Sequence, residues 1–366
     1  MARAERRTGR TAQGLMRALV VGLGSIGRRH ARNWAALGLG PLAICRVRRD
    51  PLPEPLGVEA SEYHDLDHAL EVERPEVVLV TNPTSLHVQT ACSAVQAGAH
   101  VLVEKPLGST LEAVPELLEL ARAGGRMIMV GYNLRFHPGL ARLKALVDDG
   151  AIGRIVSARA EVGEYLADWH PWEDYRQGYA ARRELGGGAV LTFSHELDAL
   201  CWLLGAPRKL VAMAGRRGSL EVDAEDVAEI AIDFEGGALG SIHVDFVRRP
   251  PRRSIELVGE KGVLRWEFER NRLEQYSVGS GQWRVELGDA RFERNQMYRE
   301  ELRHFAGCVR GEISRPLVDG EQGAAVLAIA LAALHSAAEG RAIDFRDADS
   351  VTRAWLARLG SRGQAG

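Results

Sequence analysis

At 366 residues the chain is too long for one ordinary core; at roughly 150 residues per domain it divides into about two. A composition of 46% hydrophobic and 26% charged residues is that of a globular protein and excludes wholesale disorder. Forty-seven basic against forty-nine acidic residues leave a net charge of -2, which argues against a nucleic-acid partner.

The first fifteen residues carry Arg3, Arg6, Arg7 and Arg10 but no apolar stretch, so they read as a basic tail, not a secretory signal, with Met16 as an alternative start. From Ala18 onward, short apolar runs alternate with helical patterns. Ala18–Gly22, Pro41–Arg46, Val77–Val80, His100–Val103 and Arg126–Val130 read as buried strands. Ser25–Leu37, Ser85–Ala97 and Leu111–Ala123 read as helices. Continuous apolar strands separated by helices predict a doubly wound parallel sheet over residues 16–150.

After Gly153 the pattern changes. Ile155–Tyr165, Lys209–Gly215, Val227–Phe234, Leu239–Val247, Ser254–Val258 and Val263–Phe268 read as strands. Turn signals at 235–237 and 260–262 predict an open, mostly antiparallel sheet within an α+β domain over 151–340. Helices are expected at Ser194–Leu204, Gln296–Val309 and Gly320–Ala338, the last packing back on a domain. Residues 341–366 read as a C-terminal extension whose last dozen residues are loosely held. The longest uninterrupted apolar run, Ala324–Leu334, is well short of the ~20 residues of a membrane span, so no membrane partner is expected. Cys45, Cys92, Cys201 and Cys308 lack CxxC spacing, so the expectation is a reduced, cytoplasmic protein without disulfides or a metal site.

Gly22-Leu-Gly24-Ser25-Ile26-Gly27 follows the first strand and opens a helix. In that frame the first glycine allows the turn, the second admits a pyrophosphate and the third permits close helix packing. Dinucleotide binders that use NAD place an acid roughly 20 residues further on, against the ribose 2′-hydroxyl. Here Arg46 occupies that slot, followed by Arg48 and Arg49, and a guanidinium suits a 2′-phosphate. NADP(H) is therefore favoured over NAD(H), although Arg48 and Arg49 read equally well as solvated loop charges.

The cationic residues comprise forty-three Arg and four Lys: Lys105, Lys144, Lys209 and Lys261. Lys105 stands out because Glu104-Lys105-Pro106 ends a buried strand, at the edge of the sheet where ligands bind. An amine can lose its proton there, which a guanidinium cannot.

With Asn82, Pro83 and His87 after the fourth strand, the glycine loop and Glu104-Lys105-Pro106 resemble the Gfo/Idh/MocA oxidoreductases. The resemblance runs from about Met16 to Ala338. It implies NAD(P)-dependent hydride transfer at a secondary alcohol or ketone of a sugar, aminosugar, cyclitol or sugar nucleotide, with Lys105 as the catalytic lysine. Asn82, Pro83 and His87 would lie near the nicotinamide and its ribose, and Glu104 would position the nicotinamide end. A glycine run leading to a histidine helix, Gly186–Asp198, is the second shared signature. It makes His195 the proton-transfer partner of Lys105, with Asp198 a possible orienter on the same helical face. Many family members carry an Asp three or four residues before this histidine; Leu191 and Thr192 stand there instead.

The aromatic stretch 165–179 holds Trp169, Trp172, Asp174 and Arg176, which read either as a sugar-binding lining or as a structural loop. Thr192, Asn133 and Arg135 complete the expected substrate contacts. Two other functions fit the same residues: a redox-neutral glycosidase or epimerase that retains its nucleotide, and a non-catalytic nucleotide-binding sensor. An exposed antiparallel sheet face favours a homo-dimer or homo-tetramer.

Overall fold

A computed structural model describes residues 14–49, 54–289 and 291–360; the basic tail expected up to residue 15 lies almost wholly outside them. The first half runs β1 (Ala18–Val21), α1 (Ser25–Ala36), β2 (Leu42–Cys45), β3 (Ser61–Tyr63), α2 (Leu66–Glu73), β4 (Val77–Val80), α3 (His87–Gln96), β5 (His100–Glu104), α4 (Val114–Ala123), β6 (Ile128–Gly131) and α5 (Pro138–Asp148). Its six strands pair in parallel in the order β3-β2-β1-β4-β5-β6. All four residues of β1, β2, β4 and β6 are buried, as a sheet covered by helices on both faces requires. The order reverses direction between β1 and β4, so the carboxyl ends of the central strands open a crevice there.

The second half runs β7 (Ile155–Gly163), α6 (Ala189–Thr192), α7 (His195–Leu204), β8 (Pro207–Gly215), β9 (Val227–Phe234), β10 (Leu239–Asp245), β11 (Arg252–Gly259), β12 (Gly262–Glu267), β13 (Arg272–Ser277), β14 (Gln282–Gly288), α8 (Asn295–Val309), α9 (Gly320–Glu339), β15 (Ile343–Asp344) and α10 (Ser350–Gly360). Nine strands form one mixed sheet in the order β14-β13-β12-β11-β7-β10-β9-β8-β15, with β7 and β10 the parallel pair in an otherwise antiparallel array. The chain is thus an α/β protein with a parallel dinucleotide-binding sheet followed by a mostly antiparallel one. Helices α7 and α9 cover one face. On the other, a single register row crosses Trp283, Tyr276, Val263, Val258, Ser157, Leu239, Asp233 and Lys209.

Helix α9 spans 20 residues and is apolar enough to cross a membrane by composition, but its apolar surface is buried against β8, β6 and α10. The chain entering it pairs with the edge of the parallel sheet, Val130 N donating to Val318 O at 3.0 Å. The C-terminal half is therefore laced to the first sheet.

Two regions without a sequence reading are structured, and one expectation needs correction. The sequence between β2 and β4 showed no periodic signal, yet it forms β3 and α2; the three polar residues of β3 are extended because they pair with β2. Strands β13 and β14 were missed because they lie at the sheet margin with most side chains only partly covered. The end of the chain is not loosely held as far as it is described: α10 buries Trp355, Leu356 and Leu359 and packs on α9 and α7.

Asp319 caps α9 through a reciprocal capping box with Gln322 and also pairs with Arg358 of α10. Asp319→Ala is expected to lower stability by ~1 kcal/mol, read as a lower thermal midpoint. Asp319→Asn should recover most of the loss, because asparagine caps as well and the Arg358 pair is half exposed.

Candidate active site

The glycine loop shows three different constraints. Gly22 sits at φ +94°, and a Cβ there would lie 2.5 Å from the Asn82 backbone nitrogen. A Cβ on Gly27 would overlap the Gly22 carbonyl oxygen, so close packing of α1 demands glycine. Gly24, by contrast, would meet nothing within 4 Å. It stands at the N-terminus of α1, where no side chain among the described residues caps the first N–H groups, and Ser25 and Ile26 begin the helix. Thr81 bolts the loop down from β4, its hydroxyl donating to the carbonyls of Val21 and Gly22 at 3.0 and 2.7 Å. An open approach to uncapped N–H groups at the positive end of a helix fits a dinucleotide pyrophosphate.

Lys105 follows β5 at the same edge. Its Nζ donates to the carbonyl of Thr192, the last residue of α6, at 2.7 Å. Three residues on, His195 opens α7, 7% exposed, edge-on to the Tyr132 ring at 5.6 Å, with no hydrogen-bond partner at Nδ1 among the described residues. Burial lowers the Lys105 pKa to about 8; Glu104 and Glu196 push it up, Arg253 and Arg294 down. Burial, then the charges of Lys105, Arg253 and Arg294, hold His195 well below its usual range, so it is neutral at neutral pH. An ammonium close to losing its proton and a neutral imidazole are matched as donor and acceptor.

Several expected site residues are engaged elsewhere. Asp198 does not orient His195: both its oxygens are taken by Arg135, at 2.7 Å from Nη2 and 3.0 Å from Nε. Arg135 also donates to Leu317 O, and both members of the pair are at most 3% exposed, so this is a buried ion pair between the turn after β6 and α7. Glu104 is held within the protein: its Oε1 meets His30 Nε2 of α1 at 2.7 Å and its Oε2 accepts from Lys105 N at 3.2 Å. His87 is also turned inward, its ring nitrogens against the carbonyls of Pro106 (2.8 Å) and Asn82 (2.9 Å). A ring held that way braces the two loops against each other. Asn82 donates to Thr90 Oγ1, and Pro83 leads into a 3₁₀ turn at the crevice.

Arg46 emerges from β2 and donates from Nε to Glu62 of β3 at 2.6 Å, while Arg48 is exposed beyond it. Asn133 is buried in the 3₁₀ turn after β6. Trp169 packs edge-on against Phe193 and Phe246, anchoring the aromatic stretch to the core, whereas Trp172 is 67% exposed. Asp174 and Arg176 bind each other at the surface, and Arg176 also reaches Glu221.

Sequence reasoning missed the charged ring around Lys105. Arg253 is 6% exposed and donates to Glu196 at 2.8 Å; Arg294 precedes α8. In so Arg-rich a chain, no composition signal marks two particular arginines. His30, three residues after Gly27, and Glu196, beside His195, were within quoted or adjacent motifs and could have been found.

Residues 16–132 match the oxidoreductase family with an NAD-binding Rossmann fold, and residues 140–265 match the GFO/IDH/MocA C-terminal domain. The chain is 31% identical over 353 residues to the myo-inositol 2-dehydrogenase of Thermotoga maritima, covering 91% of this chain and 99% of that protein. It is 29% identical over 274 residues to the 1,5-anhydro-D-fructose reductase of Ensifer adhaerens, covering 74% and 79%. Among solved structures, the WlbA dehydrogenase from Bordetella pertussis, in complex with NADH and UDP-GlcNAcA, superposes with a TM-score of 0.77 at 26% identity, over 90% of this chain and 98% of that one. The glycine loop, the strand-end lysine and the two-sheet architecture thus coincide with matches along most of the chain, which belongs to the Gfo/Idh/MocA family of NAD-binding oxidoreductases.

Proposed function

We propose that the enzyme moves a hydride between a nicotinamide cofactor and a secondary alcohol or ketone of a sugar, aminosugar, cyclitol or sugar nucleotide, with Lys105 and His195 transferring the proton. The observation that carries this reading is the Lys105 amine, held on the Thr192 carbonyl beside a buried neutral His195, at the strand edge that also carries the glycine loop. The polyol and sugar substrates named for the relatives support the substrate class.

Gly22, Gly24, Ser25, Ile26 and Gly27 would hold the pyrophosphate, and Asn82 and Pro83 line the crevice towards the nicotinamide. The bound nicotinamide supplies or accepts the hydride. In oxidation the free Lys105 amine takes the hydroxyl proton as the C–H bond breaks; in reduction its ammonium protonates the forming alkoxide. His195, kept neutral, can donate its ring N–H to the reacting oxygen and so share in the proton transfer. Arg46 favours NADP(H): its guanidinium stands at the end of β2 where an acid would otherwise select NAD(H). The open face of the nine-stranded sheet, with Val211, Met213, Leu239, Trp283 and Val285 exposed, supports a homo-dimer or homo-tetramer.

With whichever of myo-inositol, 1,5-anhydro-D-fructose and a UDP-sugar is turned over, Lys105→Met is expected to cut kcat/KM by ~10²–10⁴ while nucleotide binding, read by tryptophan quenching, is retained. Wild-type turnover in that variant would overturn the assignment. In the oxidation direction kcat/KM should rise about tenfold per pH unit and level off above the Lys105 value of about 8, because the free amine is the active form; reduction should show the mirror profile. Paired titrations should show tighter binding of NADPH than NADH, with Arg46→Asp losing at least roughly tenfold on NADPH alone. Equal losses on both nucleotides would remove Arg46 from the 2′ position.

A further inference from the structure

Behind Lys105 lies a buried cluster that the hydride-transfer mechanism leaves unused. Glu301 of α8 is 0% exposed, and neither of its carboxyl oxygens has a hydrogen-bond partner among the described residues. Atoms of Glu301, His30 and Glu104 lie within 4.8 Å of one another, and His30 and Glu104 are in direct hydrogen-bond contact. Tyr298, three residues before Glu301 on α8, closes the cluster edge-on against His30, with ring centroids 6.0 Å apart.

Two carboxyl groups this close and this far from water cannot both be ionised. Glu104 has the partners for a charge: burial pushes its pKa up, but His30 and Lys105 outweigh burial and hold it below the usual carboxylate range. Glu301 has none: burial and then the Glu104 charge push it well above that range.

We propose that Glu301 is a positioning residue that works as a neutral carboxylic acid, leaving Glu104 as the one ionised carboxyl of the His30–Glu104–Glu301 array, against the Lys105 amine. The proposal rests on Lys105 being the proton-transfer group. A second negative charge would bind the Lys105 proton more tightly and remove the amine from the neutral range, whereas loss of the first would release that proton too early. Lys105 faces Glu104 on its own strand, the Thr192 carbonyl from α6, His195 and Glu196 from α7, Arg253 from β11 and Arg294 ahead of α8; His87 and Tyr179 also feel the Glu104 charge. Among these, the array is the arm whose charge can be set by a single proton on Glu301.

The test reads Lys105 directly. Trace acetylation of the full-length protein with acetic anhydride, followed by mass spectrometry from neutral to alkaline pH, gives its titration midpoint, with Lys144, Lys209 and Lys261 as internal references. Glu301→Gln and Glu301→Leu, both neutral, should leave the Lys105 midpoint where wild type has it; if one variant fails to fold, the other reports the same charge. Glu104→Gln should lower the midpoint by about one pH unit. A drop in either Glu301 variant as large as that in Glu104→Gln would show Glu301 to be ionised and overturn the proposal. So would an unmoved midpoint in Glu104→Gln, or a stoichiometric divalent metal in the purified protein, which would require both carboxylates charged. The measurement needs no turnover, so failure of the Lys105 assignment in the activity assay is distinguishable from failure here.

Discussion

The contact between the Lys105 amine and the carbonyl of Thr192 joins the two halves of the molecule at the point where chemistry can occur. Lys105 belongs to the carboxyl edge of the parallel sheet, where the reversal of strand order opens a crevice for a dinucleotide. Thr192 and His195 belong to the helices that cover the second sheet. Neither half alone would hold an amine and an imidazole over a nucleotide.

That site is governed by burial more than by any single charge. Desolvation is the largest influence on both Lys105 and His195, and the surrounding ions then divide into two acids and two arginines with opposing effects on Lys105. The balance leaves the Lys105 amine close to losing its proton near neutral pH. Because those ions come from β5, α7, β11 and the approach to α8, the acidity of Lys105 depends on the docking of four separate elements.

The buried ion pairs around this corner have a different role. Arg135–Asp198 ties the turn after β6 to α7, and Arg253–Glu196 ties β11 to the same helix. Removing one partner from such a pair leaves an uncompensated charge in the interior, so each pair restricts how α7 can sit. The helix carrying His195 is thus clamped on two sides by guanidinium groups from different parts of the chain.

The glycine spacing, the apolar strands and the lysine at a strand end were legible in the sequence because each is a local constraint: a turn without Cβ atoms, a covered strand, an amine at a sheet edge. The two-sheet architecture could be read for the same reason. Partner choice could not. Asp198 shares a helix with His195, yet its carboxylate goes to Arg135, sixty-three residues distant in sequence; Glu104 sits beside Lys105 but turns to His30, seventy-four residues away. Which of many arginines comes to rest near the amine, and which of two close carboxyl groups keeps its proton, depends on burial and on distances between elements remote in sequence. By itself the sequence determined the elements and the reactive groups; only the tertiary structure decided their partners and charges, because desolvation and charge coupling act through space.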